Sequence, residues 1–209
     1  MNQQDLATDY WPEKNNYLRT ALKTAFFMLI YHAVSWLFYD FFIGTAMDPD
    51  SMPGDAATRI PWVMFFYAVA MLAVLGVVFV VFYFKNSEKK RAYLAATSAE
   101  IRGAENVAEG IARYHKIAMK ESLVCTLSAG ILWLVPTVFY TVSLVTSGQG
   151  YGYSNAWAIE KFFVGFIGLC EPFQNAWIGL LLGMGILFAF YYFGRVYSHK
   201  QWQGNRIRR

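Results

Sequence analysis

The sequence predicts an all-α, polytopic membrane protein with four transmembrane helices. Three observations carry that expectation: four long apolar runs nearly free of charge, a low overall share of charged residues, and clusters of lysine and arginine on alternate flanks of the runs. Of 209 residues, 56% are hydrophobic and 15% are charged, whereas a soluble domain usually carries about a quarter charged. A helix rises about 1.5 Å per residue, so about 20 apolar residues cross the roughly 30 Å of bilayer hydrocarbon. The whole chain, 1–209, reads as a single membrane domain.

The first span is expected at 24–44, where Ala25 to Gly44 holds one carboxylate, Asp40. Residues Met1 to Glu13 are polar, and no small-residue cleavage site clearly follows the first apolar run, so this helix is expected to remain in the mature protein. The second span, 61–84, has no charge and begins at Pro61. The third, 122–147, is also uncharged and carries Pro136 near its middle, where a missing backbone donor should bend the helix. The fourth, 172–195, contains Gly179 and Gly183 four residues apart. Small residues at that spacing let two backbones approach, which makes both glycines candidate helix-packing positions.

The connecting segments differ in character. Between the first two spans, Asp48, Pro49, Asp50, Pro53, Gly54 and Asp55 read as turns, and the three carboxylates lack the ordered spacing of a calcium loop. Segment 85–121 reads as a cytoplasmic helical loop, with a capping-box pattern at Thr97 to Glu100. Its residues Leu94, Ile101, Ala108 and Ile111 fall on one modest apolar stripe and are candidate partner-docking positions. The outer loop, 148–171, begins with glycines and turns apolar. Phe162 to Cys170 is too short to cross a bilayer, and Glu171-Pro172 interrupts any continuation; an outer interfacial or re-entrant helix is expected there.

Charge sets the orientation. Sixteen of the 18 lysines and arginines fall in the N-terminal segment, the 85–121 loop or the C-terminal tail, and only Arg59 and Lys161 fall on the other side. Basic residues near span ends stay cytoplasmic, so both termini are expected on the cytoplasmic side of a cell membrane. The formal net charge of +4 then suits anionic lipid headgroups and requires no nucleic acid. Tyrosines and tryptophans crowd both ends of the spans, as interfacial anchors do.

A faint repeat accompanies this pattern. A shift of 97 residues aligns Arg19 with Lys116, Lys23 with Lys120, and Trp36 with Trp133; a shift of 109 aligns Leu72 with Leu181 and Gly76 with Gly185. A duplication of this kind would build two parallel helical-hairpin repeats about an axis along the membrane normal.

Candidate chemistry inside the spans is sparse. His32 is the one histidine within a span, and with Ser35 and Asp40 it forms a candidate polar intramembrane track. A single histidine does not supply the two facing ligands of a bis-histidine haem. No nucleophile with a base and no paired carboxylates stand out, so no catalytic residue, metal or cofactor is expected. Cys125 and Cys170 belong to opposite membrane faces, too far apart for an intrachain disulfide; the alternative for Cys170 is an intermolecular bridge. The expected role is a non-catalytic accessory or scaffold subunit of a membrane complex, in contact with lipids and with a membrane-protein partner or further copies of itself. The alternative is a small transporter or channel for a neutral or lipid-like solute, built from the two hairpins.

Overall fold

The computed structural model describes residues 17–47, 56–78, 105–148 and 161–207. Regular structure among them is helical throughout: α1 (Tyr17–Met47), α2 (Ala56–Val78), α3 (Glu105–Ser147), α4 (Val164–Cys170), a 3-10 turn (Glu171–Phe173) and α5 (Ala176–Ile207). Four of these helices are long and apolar enough to span a membrane, over Tyr17–Tyr39, Ile60–Val78, Ala118–Ser147 and Ala176–Tyr197. They are the spans of a multi-pass membrane protein, in the order the apolar runs predict.

The boundaries differ from the expected ones for physical reasons. Helix α1 starts at Tyr17 rather than 24 because its lead-in contains good helix formers and no breaker. Helix α2 starts at Ala56, ahead of Pro61; the proline lies in the second turn, where its missing donor costs one bond, to the Ala57 carbonyl. Helix α3 runs 43 residues without a break, from Glu105 through Pro136 to Ser147. The later part of the 85–121 loop is therefore continuous with the third span. Threonine hydroxyls bond back to the preceding turn of α3 near the proline, with Thr137 Oγ1 donating to the Trp133 carbonyl at 2.7 Å and Thr141 Oγ1 to the Thr137 carbonyl at 2.7 Å.

The fourth span begins at Ala176, not at 172. Pro172 lies in the 3-10 turn, Gln174 adopts a left-handed conformation (φ 48°), and Asn175 caps the new helix. Its Oδ1 accepts from the backbone N–H groups of Trp177 at 3.0 Å and Ile178 at 3.2 Å, satisfying donors that a helix start leaves open.

The chain divides into two compact units. One comprises Met1–Ala21, Gly76–Cys125 and Phe188–Arg209, and the other Leu22–Leu75 and Thr126–Leu187. In the first, the buried positions include Ala118, Glu121, Cys125, Tyr191 and Arg195, and Gly76 meets the Phe190 ring, 2.7 Å from where a Cβ would stand. In the second, Met28, His32, Met64, Leu72, Trp133, Phe166 and Leu169 are enclosed.

Residues paired by the sequence repeat occupy unlike surroundings. Leu72 is 0% exposed and Leu181 71%, and Trp133 is 0% exposed where Trp36 is 45%. Gly76 is pressed against a ring while Gly185 has nothing within 4 Å.

Candidate functional site

The centre of the second unit is α4, a helix of seven residues, all of them buried. The sequence led us to expect an outer interfacial or re-entrant helix; an interfacial helix would keep one face exposed, and α4 has none. Glycines explain how it fits. A Cβ on Gly165 would stand 2.5 Å from the Tyr31 hydroxyl and 3.0 Å from Ser35 Oγ. One on Gly168 would run into the Met64 carbonyl oxygen. From the other side, Gly179 of α5 abuts Cys170, and Gly183 approaches Trp133 Cζ3, at 2.6 Å from its notional Cβ, together with Leu169. Lipid gives helices no hydrophobic reason to associate, so close backbone packing of this kind must supply the attraction.

His32 lies against this helix. It is fully buried, and its Nε2 accepts a hydrogen bond from Trp133 Nε1 at 3.0 Å. An indole nitrogen only donates, so the histidine must be the neutral tautomer with its proton on Nδ1. The rings of Phe163 at 4.7 Å, Tyr31 at 5.0 Å and Phe162 at 5.6 Å surround it, and Nδ1 has no hydrogen-bond partner among the described residues. Ser35, one turn on, is buried beside it, and its carbonyl accepts from the Tyr67 hydroxyl at 2.5 Å. The structure therefore brings His32 and Ser35 into one core shared by α1, α2, α3 and α4. Asp40 lies on α1, with its side chain outside the described residues.

Near the start of α5, Cys170 is fully buried and its thiol donates to the Phe166 carbonyl at 3.5 Å. Burial, reinforced by the neighbouring Glu171 carboxylate, pushes its pKa up, so it stays a thiol at neutral pH. That enclosure overturns the alternative of an intermolecular bridge, since no second chain can reach the sulfur. Gln174 Nε2 donates to the Glu171 carbonyl at 2.9 Å, and Lys161 places its ammonium 5.7 Å from the Tyr39 ring centre. Both cysteines are free.

The first unit holds a group that the sequence reading passed over. Arg195 Nη1 of α5 pairs with Glu121 Oε2 of α3, and both side chains are 3% exposed. Arg195 Nη2 also reaches Cys125 Sγ at 4.0 Å. His115 Nδ1 and the Tyr192 hydroxyl lie 3.2 Å apart in the same unit, and Tyr192 stacks on Phe188 with centroids 6.0 Å apart. A signal for the ion pair was present. Leu187, Tyr191 and Arg195 recur every four residues along α5, as do Glu121 and Cys125 on α3, so opposite charges end two stripes that face inward.

Leu94 and Ile101 of the docking stripe, the Thr97 to Glu100 cap, and Asp48, Asp50 and Asp55 lie outside the described residues; Ala108 and Ile111 lie on α3, without described side chains. Among the described residues no three His, Cys, Asp or Glu side chains are grouped to hold a metal ion. Two of the described polar pairs join helices: the lone pair of His32 is engaged by Trp133, and the Glu121 carboxylate by Arg195. No protein-family model matches this chain, and neither the curated proteins nor the solved structures yield a match.

Proposed function

We propose that this chain is a non-catalytic accessory or scaffold subunit of a membrane complex, with both termini cytoplasmic. The observation that carries the reading is the closed core around α4. His32 is locked to Trp133, and four glycines seat α4 and α5 directly against their neighbours. A packed interior of this kind suits a part that holds a fixed shape, because moving one helix past another would break several close backbone contacts together. The distribution of basic residues supports the orientation. In the 18 most apolar residues of each span only 28 to 44% are buried within the chain, which leaves surface for lipid and for a membrane partner. The stripe Leu94, Ile101, Ala108 and Ile111 remains our candidate for partner contact on the cytoplasmic side.

One observation favours the second reading, a small transporter or channel. A short helix enclosed within the protein, beside a histidine with an unmatched Nδ1–H, resembles the discontinuous helices that form solute sites in transporters. Purification in mild detergent tests the choice. A second protein in fixed stoichiometry is the expected result, and the chain migrating alone as an oligomer would favour transport.

A further inference from the structure

Lys116 and Lys120 lie one helical turn apart on α3, and both are exposed. The same face of the helix continues through Leu123, Leu127, Ile131, Leu134 and Val138, all exposed, at the three- and four-residue steps that keep side chains in line. Among the described residues of this turn, Glu121 is the carboxylate, and it is buried in its pair with Arg195. From residue 122 to 147 the chain carries no charge at all. The face thus presents two cations at the membrane boundary, followed by hydrocarbon alone. From Leu123 to Val138 the stripe extends about 22 Å at a helix's rise per residue, longer than the roughly 15 Å of hydrocarbon in one leaflet.

We propose that this face of α3 binds an anionic glycerophospholipid, with the phosphate held between Lys116 and Lys120 and an acyl chain laid along Leu123 to Val138. Charge complementarity selects the headgroup and the apolar stripe holds the chain. A zwitterionic lipid offers the two ammonium groups no net negative charge, and a soluble phosphodiester lacks the acyl contact. The site belongs to one helix and holds for either orientation of the protein and for either reading of its function.

Native mass spectrometry of the purified full-length chain, titrated separately with phosphatidylglycerol and phosphatidylcholine, reads the binding. Each lysine near an anionic surface is worth about fivefold in affinity, so phosphatidylglycerol should half-saturate the chain at a concentration roughly 30-fold lower. Lys116→Gln with Lys120→Gln should bring the two lipids within about twofold of each other, and Lys116→Arg with Lys120→Arg should keep the preference. Lys89→Gln with Lys90→Gln removes the same charge elsewhere and should also keep it. Soluble glycerophosphoglycerol, the headgroup without its chains, should not compete. Equal binding of the two lipids by the unaltered chain would overturn the proposal. So would a preference that survives the Lys116 and Lys120 glutamines, an equal loss in the Lys89 and Lys90 control, or competition by the soluble headgroup.

Discussion

Removing one member of the Glu121 and Arg195 pair should damage the protein far more than removing both. The two side chains are 3% exposed, and they tie α3 to α5. Breaking a buried pair by deleting one partner strands the other charge and costs about 3 to 5 kcal/mol, while replacing both with apolar groups of similar volume is about neutral or stabilising. Glu121→Gln leaves the buried guanidinium facing a neutral amide in place of its counter-charge. A carboxylate can take up a proton, but a guanidinium cannot lose one, so Glu121→Gln should cost more than Arg195→Met. The double variant Glu121→Leu with Arg195→Met should return to within about 1 kcal/mol of the original protein. Reversible unfolding in mixed micelles, run as a double-mutant cycle, gives the coupling energy. Coupling below about 0.5 kcal/mol, with small losses in both single variants, would refute the reasoning and mean that the pair is solvated.

The other predictions rest on equally specific contacts. Gly168→Ala drives a methyl group into the Met64 carbonyl and should cost about 1 to 3 kcal/mol; Gly185→Ala meets nothing within 4 Å and should be neutral or slightly stabilising, so equal melting of the two variants would contradict the packing of α4. Trp133→Phe leaves the buried Nε2 of His32 without its donor and should cost about 1 to 3 kcal/mol by thermal melting, a loss that a partial reversal by His32→Phe in the same chain would tie to this bond. Asn175→Ala removes the cap of α5 and should cost about 1 kcal/mol in the same measurement. For topology, cysteines placed at Ser51 and Ser154 should react with an impermeant reagent in intact cells and one at Ser98 should not, and the opposite pattern would invert the orientation.

The four spans were legible because each is a run of about 20 apolar residues, long enough to cross the hydrocarbon as a helix that satisfies its own backbone groups. The break at Glu171-Pro172 was legible from proline's missing donor, although the sequence put the new helix at 172 and Asn175, through its cap, puts it at Ala176. The burial of α4 was not. Its sequence, Val164 to Cys170, is apolar on every side, and the same composition would suit a helix in lipid or one in a protein core; only the approach of Tyr31, Met64 and Gly179 decides between them. His32 was singled out by the cost of an ionisable group at membrane depth and Ser35 by its place one turn on, but the partner that fixes the tautomer, Trp133, lies 101 residues away. Glu121 and Arg195 looked like ordinary boundary charges, because the four-residue recurrence that they end is short and lies among other apolar residues, and their burial shows which face it marks.

The composition of the assembly extracted in native lipid tests the central claim most directly, comparing the unaltered chain with Ile101→Asp plus Ile111→Asp and with His32→Ala. Carboxylates in an apolar contact are costly, so the scaffold account predicts a second protein in fixed ratio that is lost from the Ile101 and Ile111 variant and retained by His32→Ala, with all three chains equally abundant in the membrane. A chain that is extracted alone and is untouched by the loop substitutions, with cellular activity abolished by His32→Ala, would contradict the account and assign the protein to transport.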